Sequence, residues 1–148
     1  MVKMVDISQK PPLLRMASAM GEIKLKQETL AKIREGQVKK GDPFTIAGIA
    51  ATNAVKKTPD LIPLCHQVPI TDVKTEFVCK EDRVEASVAV KSVGQTGVEM
   101  EALIGVSIAL ATIWDMVKYL EKDEVGQYPT TSISQIRVLQ KIKADLGS

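Results

Sequence analysis

Two charged residues lie one helical turn apart near the end of the longest apolar segment, Asp115 and Lys118. An exposed pair at this spacing contributes only roughly a few tenths of a kcal/mol. The flanking side chains are apolar: Ile113, Trp114, Met116 and Val117. We therefore expect this turn to be partly buried, where a lysine beside a carboxylate can have its pKa tuned for proton transfer.

The single histidine of the chain, His66, directly follows one of the two cysteines, Cys65. Both lie in the segment 58–70, TPDLIPLCHQVPI, whose prolines predict a stiff, non-helical backbone. Neighbouring side chains of an extended segment point to opposite faces, which disfavours a thiolate–imidazole pair. One histidine without closely spaced cysteines provides too few ligands for structural zinc. Two interpretations stay open: a substrate contact by His66, or a rigid loop with a buried cysteine.

Two acidic residues, Glu99 and Glu101, stand at the predicted start of the long helix. Thr96 and Glu99 have the spacing of a capping box, which predicts a helix start near Gly97. Glu101 has no such structural explanation. The pair therefore favours a polar site at this end of the helix.

Basic residues are spread along the chain. Lys39 and Lys40 precede Asp42, a predicted N-cap followed by proline, and the start of a helix is a natural anion site. Alternation in the last predicted strand places Arg137 and Lys141 on the same face. Each residue taken alone is more often a solvated surface charge, so an anionic ligand would require several of them to converge.

The elements that must position these residues follow the order strand, helices, strand, strand, helix, strand. We expect one domain spanning residues 1–148, with residues 1–20 forming an N-terminal arm. The run Ala102–Trp114 is apolar nearly all round, so a sheet must cover one side and another subunit or layer the other. This order predicts an α+β fold of ferredoxin-like type, an antiparallel sheet with helices packed on one face.

Composition excludes several classes of protein. Aromatic residues make up 3% of the chain, too few for a base-stacking surface, and the net charge of +2 is too weak to predict nucleic-acid binding. The uncharged run Ala102–Trp114 is too short to span a bilayer, and the N-terminus lacks the apolar core of a signal peptide. Two cysteines do not make a disulfide framework. We expect a cytoplasmic protein that binds neither nucleic acid nor membrane.

On fold and composition alone, a non-catalytic ligand-binding module of ferredoxin-like type ranks above any specific enzyme, and an RNA-binding module ranks third. The pattern Glu-Met-Glu followed by Asp-x-x-Lys distinguishes these classes. A binding module does not need an ion pair on a buried helix face.

Five motifs resemble, in order and spacing, those of the cyclic pyranopterin monophosphate synthases, the MoaC family of molybdenum cofactor biosynthesis: MVDIS, KKGDP, DLIPLCHQVP, TGVEMEAL and DMVK. The resemblance runs from about residue 4 to 141. It implies that a cyclic dihydroguanosine triphosphate is rebuilt into a pyranopterin with a cyclic phosphate, and that pyrophosphate is released. It also implies ferredoxin-like subunits in a homohexamer, a trimer of dimers, with the active site at a subunit boundary. No organic cofactor or metal is implied, although magnesium could accompany the pyrophosphate.

The resemblance also implies roles for individual residues. The catalytic pair falls on Asp115 and Lys118, with Lys118 as proton donor and acceptor. The implied substrate-binding residues are Arg15, Lys40, Leu64, Cys65, His66, Glu99, Met100, Glu101 and Lys141. Among these, the basic residues would neutralise the phosphates, and the histidine and glutamates would hold the polar edges of the purine and sugar.

Overall fold

The computed structural model describes residues 1–147 as four strands and four helices. In chain order they are β1 (Leu13–Lys24), α1 (Gln27–Arg34), α2 (Pro43–Lys56), α3 (Thr58–Leu61), β2 (Ile70–Cys79), β3 (Arg83–Gly94), α4 (Glu99–Glu121) and β4 (Ser132–Ala144). The strands form one antiparallel sheet in the order β2-β3-β1-β4. The helices pack on one face of it, which confirms the predicted α+β, ferredoxin-like fold.

The core lies between the sheet and the long helix α4. Strand β3 contributes every second residue to it, because alternate side chains of a strand share one face: Val84, Ala86, Val88 and Val90. Small residues let the layers approach closely. A Cβ at Gly21 would lie 2.8 Å from Ile136 Cγ1 and 2.9 Å from Leu110 Cδ1. A Cβ at Gly105 would lie 3.0 Å from Val55 Cγ2, so this glycine lets α2 pack against α4.

Helix α4 is long and apolar enough, by length and composition, to cross a membrane. Half of that stretch is buried within the chain, against the sheet and α2, as expected for a core helix. The outer side is open, and Ile108 is 37% exposed. Ile108 therefore faces away from the sheet in the isolated chain.

The two predicted helix starts have different outcomes. Asp42 is the N-cap of α2, as predicted: its Oδ1 accepts a hydrogen bond from the Phe44 N–H at 3.1 Å, and its Oδ2 accepts one from the Thr45 hydroxyl at 2.7 Å. The capping box predicted for α4 is wrong. The N-cap of α4 is Val98, without a side-chain capping bond, and the Glu99 side chain turns towards Lys141 instead.

Two segments differ from their sequence-based prediction. The N-terminal arm is shorter than residues 1–20, because Leu13–Lys24 form β1. Alanine, serine and glycine supply much of the alternation of this strand, so its hydrophobic contrast is weak. The proline-rich segment is not wholly extended, since Thr58–Leu61 form the short helix α3. Pro59 stands in the first turn of α3, where the missing N–H of proline has no helical partner to lose.

Strand β4 pairs with β1 through two register shifts, between Ser18 and Ala19 and between Met20 and Glu22. Such a shift inserts an extra residue and reverses the alternation of faces. Lys141 is opposite Ala17 on the helix side, whereas Arg137 is opposite Met20 on the open side. The prediction that Arg137 and Lys141 share a face is therefore wrong.

Candidate active site

Three charged side chains meet on the outer surface of α4, and we call them the lysine–aspartate cluster: Lys40, Asp115 and Lys118. Asp115 Oδ1 lies 3.1 Å from Lys118 Nζ, and its Oδ2 lies 3.3 Å from Lys40 Nζ. Lys40 Nζ also donates to the Asp115 carbonyl oxygen at 3.2 Å. The hydrogen bonds from Lys118 and then from Lys40 lower the pKa of the Asp115 carboxyl. At neutral pH one carboxylate therefore holds two ammonium groups.

The surroundings of this cluster differ from the sequence-based expectation of partial burial. The Asp115 side chain is 59% exposed and that of Lys118 is 41% exposed. The apolar neighbours Ile113, Met116 and Val117 are buried because they lie on the opposite face of the helix, towards the sheet. In the isolated chain, charge pairing rather than burial sets the electrostatics of this turn.

Glu101 is buried at the other end of α4 and is 1% exposed. Its Oε2 accepts a hydrogen bond from Cys65 Sγ at 3.8 Å, whereas its Oε1 has no partner among the described residues. Glu101 also lines a cavity of about 150 Å³, together with Lys56 and Gln67 among others. Desolvation raises the pKa of the Glu101 carboxyl. A buried carboxylate oxygen without a hydrogen-bond partner, on a residue that lines a small cavity, is a candidate acceptor for a ligand.

Cys65 points towards Glu101 and not towards an imidazole. Its Sγ has two partners, Glu101 Oε2 and the backbone oxygen of His66 at 3.7 Å. Burial first, and then the Glu101 carboxylate, raises the pKa of the Cys65 thiol. A thiol held protonated in this way is a poor nucleophile, which agrees with the argument against a thiolate–imidazole pair.

Glu99 lies near Glu101 in the first turn of α4, and Arg15 and Lys141 lie at the same end of the sheet. Lys141 Nζ is 3.5 Å from Glu99 Oε2, and Glu99 Oε1 has no partner among residues 1–147. Arg15 is 4% exposed, and its Nε donates to the Gly94 carbonyl oxygen at 3.3 Å. We call these residues, with Cys65 and Glu101, the glutamate cluster.

The remaining predicted contacts lie around the glutamate cluster. Leu64 is 44% exposed and Met100 is 37% exposed, although both are apolar. His66 is half-buried and lies close to Asp6 of the N-terminal arm. The arm is held next to this loop because Gln95 Nε2 donates to the Lys10 carbonyl oxygen at 3.0 Å. An exposed leucine and methionine beside polar groups suit a ligand or a second chain.

Three further residues near the clusters were missed from the sequence. In the sheet, Arg15 of β1 lies between Lys143 of β4 and Ser92 of β3. The Ser92 Oγ is buried and has no partner among the described residues. Tyr119 accepts a hydrogen bond from the Lys39 N–H at 2.8 Å. The spacing of four between Asp115 and Tyr119 could have pointed to Tyr119, whereas Lys143 and Ser92 required the sheet register.

The two clusters are separate within one chain. Glu99 and Asp115 are about 24 Å apart along α4, because each residue of an α-helix rises about 1.5 Å. Residues 1–147 contain no group of three or more His, Cys, Asp or Glu side chains arranged to hold a metal ion. The absence of a metal from the chemistry therefore stays a prediction.

The fold and the clusters define a class: an α+β protein of ferredoxin-like type with charged groups at both ends of its central helix. The MoaC family model matches residues 4–144, and the chain belongs to this family. The chain is 59% identical to a probable cyclic pyranopterin monophosphate synthase of Methanosarcina acetivorans, over 95% of this chain and 89% of the relative. It is 55% identical to a protein of the same name from Pyrococcus furiosus, over 97% of this chain and 92% of the relative.

One relative has a different name. A protein of Methanothermobacter thermautotrophicus, 53% identical over 98% of this chain and 91% of its own length, is named a probable cyclic pyranopterin monophosphate synthase accessory protein.

Proposed function

We propose that this chain is a cyclic pyranopterin monophosphate synthase. It converts the cyclic dihydroguanosine triphosphate, in which the ribose is joined to purine C8, into cyclic pyranopterin monophosphate and pyrophosphate. The observation that carries the proposal is the lysine–aspartate cluster, in which one exposed carboxylate holds two lysines. The curated relatives from Methanosarcina and Pyrococcus support it through their names.

Lys118 is the proposed proton donor and acceptor. Opening and rebuilding the rings requires protons to move at several ring atoms, and an ammonium group at the end of a flexible stem can reach more than one of them. Asp115 is ionised at neutral pH, and the hydrogen bonds from Lys118 and Lys40 lower its pKa further, so it orients Lys118 without competing for the proton. The exposure of the pair leaves it open to a substrate that arrives from outside the chain.

The basic residues bind the phosphates of the substrate. Lys40 stands on the far side of Asp115 from Lys118, and Arg15 and Lys141 lie in the glutamate cluster. Charge-assisted hydrogen bonds from such groups stabilise a triphosphate and the departing pyrophosphate. Magnesium could arrive bound to these phosphates as part of the substrate. No organic cofactor takes part.

The glutamate cluster supplies the contacts to the purine and sugar. Glu101 lines its cavity and has a buried oxygen without a partner among the described residues, which suits an N–H donor of the purine. His66 and Glu99 hold polar groups of the sugar, while Leu64 and Met100 cover the apolar ring surface. Cys65 fixes the Glu101 carboxylate through its thiol.

A complete site requires a second copy of the chain. The two clusters are about 24 Å apart on one helix, too far for one small substrate to touch both. In an assembly with two-fold symmetry, the lysine–aspartate cluster of one subunit can face the glutamate cluster of its neighbour. We propose a homohexamer built as a trimer of dimers, working in the cytoplasm. The exposed Ile46, Ile49 and Ile108 on α2 and α4 provide apolar surface for these contacts.

The experiment that tests the function is release of pyrophosphate from the authentic cyclic triphosphate. Lys118→Ala should abolish turnover and leave the oligomer intact by light scattering. Lys122→Ala is the matched control, since Lys122 lies one turn further along at the C-cap, is exposed and makes no ion pair among the described residues. Near-normal turnover by Lys118→Ala would refute the assignment. Binding without pyrophosphate release by the unaltered chain would favour a non-catalytic ligand-binding module.

A further inference from the structure

The loop before α2 contacts one turn of α4 at two successive residues. The Lys39 N–H donates to the Tyr119 hydroxyl at 2.8 Å, and Lys39 Nζ lies 5.6 Å from the centre of the Tyr119 ring. The next residue, Lys40, reaches the Asp115 carboxylate at 3.3 Å. Asp115 and Tyr119 are four positions apart and therefore lie one above the other on the same helix face. Two adjacent loop residues thus dock on two adjacent positions of the helix.

We propose that Tyr119 is a positioning residue that holds the backbone of this loop so that Lys40 meets Asp115. The proposal rests on the function proposed above, in which Lys40 binds the phosphates. It adds a residue outside the MoaC-like motifs to the machinery of the site. Tyr119 acts through Lys40 and does not itself touch the substrate.

The conformation of the loop explains why it needs an anchor. The chain reverses at two glycines with positive φ, 67° at Gly36 and 117° at Gly41. Between them the Val38 side chain is buried, whereas Lys39 and Lys40 are exposed. A lysine side chain has four flexible carbons, so the direction of its ammonium group is poorly defined unless its backbone is held. The Tyr119 hydroxyl supplies that restraint one residue before Lys40.

Tyr119→Phe removes the hydroxyl and retains the ring beneath Lys39. Tyr128→Phe is the matched control: this ring packs edge-on against Trp114, with the ring centres 5.1 Å apart, and its hydroxyl has no partner in the described part of the chain. We measure hydrogen exchange of the segment 37–41 in the assembled protein by mass spectrometry. Loss of one neutral hydrogen bond should accelerate exchange of this segment about two- to tenfold in Tyr119→Phe, with no change in Tyr128→Phe.

Single-turnover release of pyrophosphate gives the second readout. Tyr119→Phe should lower the rate about two- to tenfold in the wild-type background and have no further effect in a Lys40→Ala background. A merely structural role would lower the rate by the same factor in both backgrounds. The midpoint of thermal unfolding should be the same for Tyr119→Phe and Tyr128→Phe, apart from the small effect of losing one exposed hydrogen bond.

Each outcome decides the question. Unchanged exchange in Tyr119→Phe would overturn the anchor, and faster exchange with an unchanged rate of turnover would overturn the positioning role. Equal losses in both backgrounds would also overturn it. If Lys40→Ala has no measurable turnover, two measurements on Tyr119→Phe decide whether Tyr119 is a positioning residue: hydrogen exchange of the segment 37–41 and the single-turnover rate of pyrophosphate release. Absence of turnover in the unaltered protein would refute the proposed function instead, and exchange would still report the anchor independently.

Discussion

Two inactive variants should regain activity when they assemble together, if the active site is shared between chains. Lys118→Ala disables the lysine–aspartate cluster, and Glu101→Gln disables the glutamate cluster with little change of shape. The clusters lie about 24 Å apart on one α4, so the proposed site takes them from different subunits. A mixed assembly then contains sites in which both clusters are intact.

The expected recovery of activity follows from the fraction of sites in which both clusters are intact. In an equal mixture, half of the chains have an intact lysine–aspartate cluster and the other half an intact glutamate cluster. If subunits combine at random, about a quarter of the sites are intact on both sides, and activity should reach about a quarter of the wild-type value. A site contained within one chain would recover nothing, because every chain has one lesion.

The assay is pyrophosphate release by mixed assemblies, prepared by co-expression with two affinity tags and checked for composition by native mass spectrometry. The matched control combines Lys118→Ala with Lys40→Ala. Both lesions then lie in the same cluster, so no site can be intact and no recovery is expected. Activity of a verified Lys118→Ala and Glu101→Gln mixture no higher than that of the separate variants would refute a shared site.

Three further variants test the fold and its electrostatics. Asp42→Ala should lower the free energy of unfolding by about 1 kcal/mol in denaturant titration, because α2 loses its N-cap; an unchanged midpoint would contradict that role. Gly21→Ala should lower the free energy of unfolding by about 1–3 kcal/mol in the same titration. The new Cβ would lie 2.8 Å from Ile136 Cγ1 and 2.9 Å from Leu110 Cδ1. An unchanged free energy would mean that α4 moves away from the sheet without cost. Burial raises the pKa of the Glu101 carboxyl, so the folded state binds its proton more tightly than the unfolded state, and this residue lowers stability as pH rises above its unfolded pKa. Glu101→Gln should therefore be more stable than wild type at pH 7, with a difference that shrinks below about pH 4. It should also speed alkylation of Cys65 at pH 8 by lowering the thiol pKa, while Cys79 serves as the internal reference.

The elements with strong local signals were predictable from the sequence. Asp42 followed by Pro43 fixes the start of α2 because both residues act through the backbone next to them. Valine and alanine alternate with polar residues along β3, a local pattern typical of a strand with one buried face. The family motifs then pointed to most of the residues now found in the two clusters.

The parts that were not predictable depend on distant partners. The capping box at Thr96 and Glu99 is absent, and the Glu99 carboxylate lies instead 3.5 Å from Lys141 Nζ of the last strand. The outward direction of Asp115 depends on which side of α4 the sheet covers. The position of Tyr119 against Lys39 depends on how the loop before α2 crosses α4. Neither sequence spacing nor composition contains this information.

The extra residue that β4 accommodates near Leu139 has a consequence for how the family can vary in length. Its register shift turns Lys141 to the helix side, where it meets Glu99. Deleting or inserting one residue between this shift and Lys141 would move the ammonium group through the sheet to the opposite surface. A change of two residues would keep it on the correct side but displace it by about 7 Å along the strand. The number of residues in this part of the strand therefore decides which face of the sheet carries the Lys141 side chain. Natural insertions and deletions should be concentrated outside the segment 136–141.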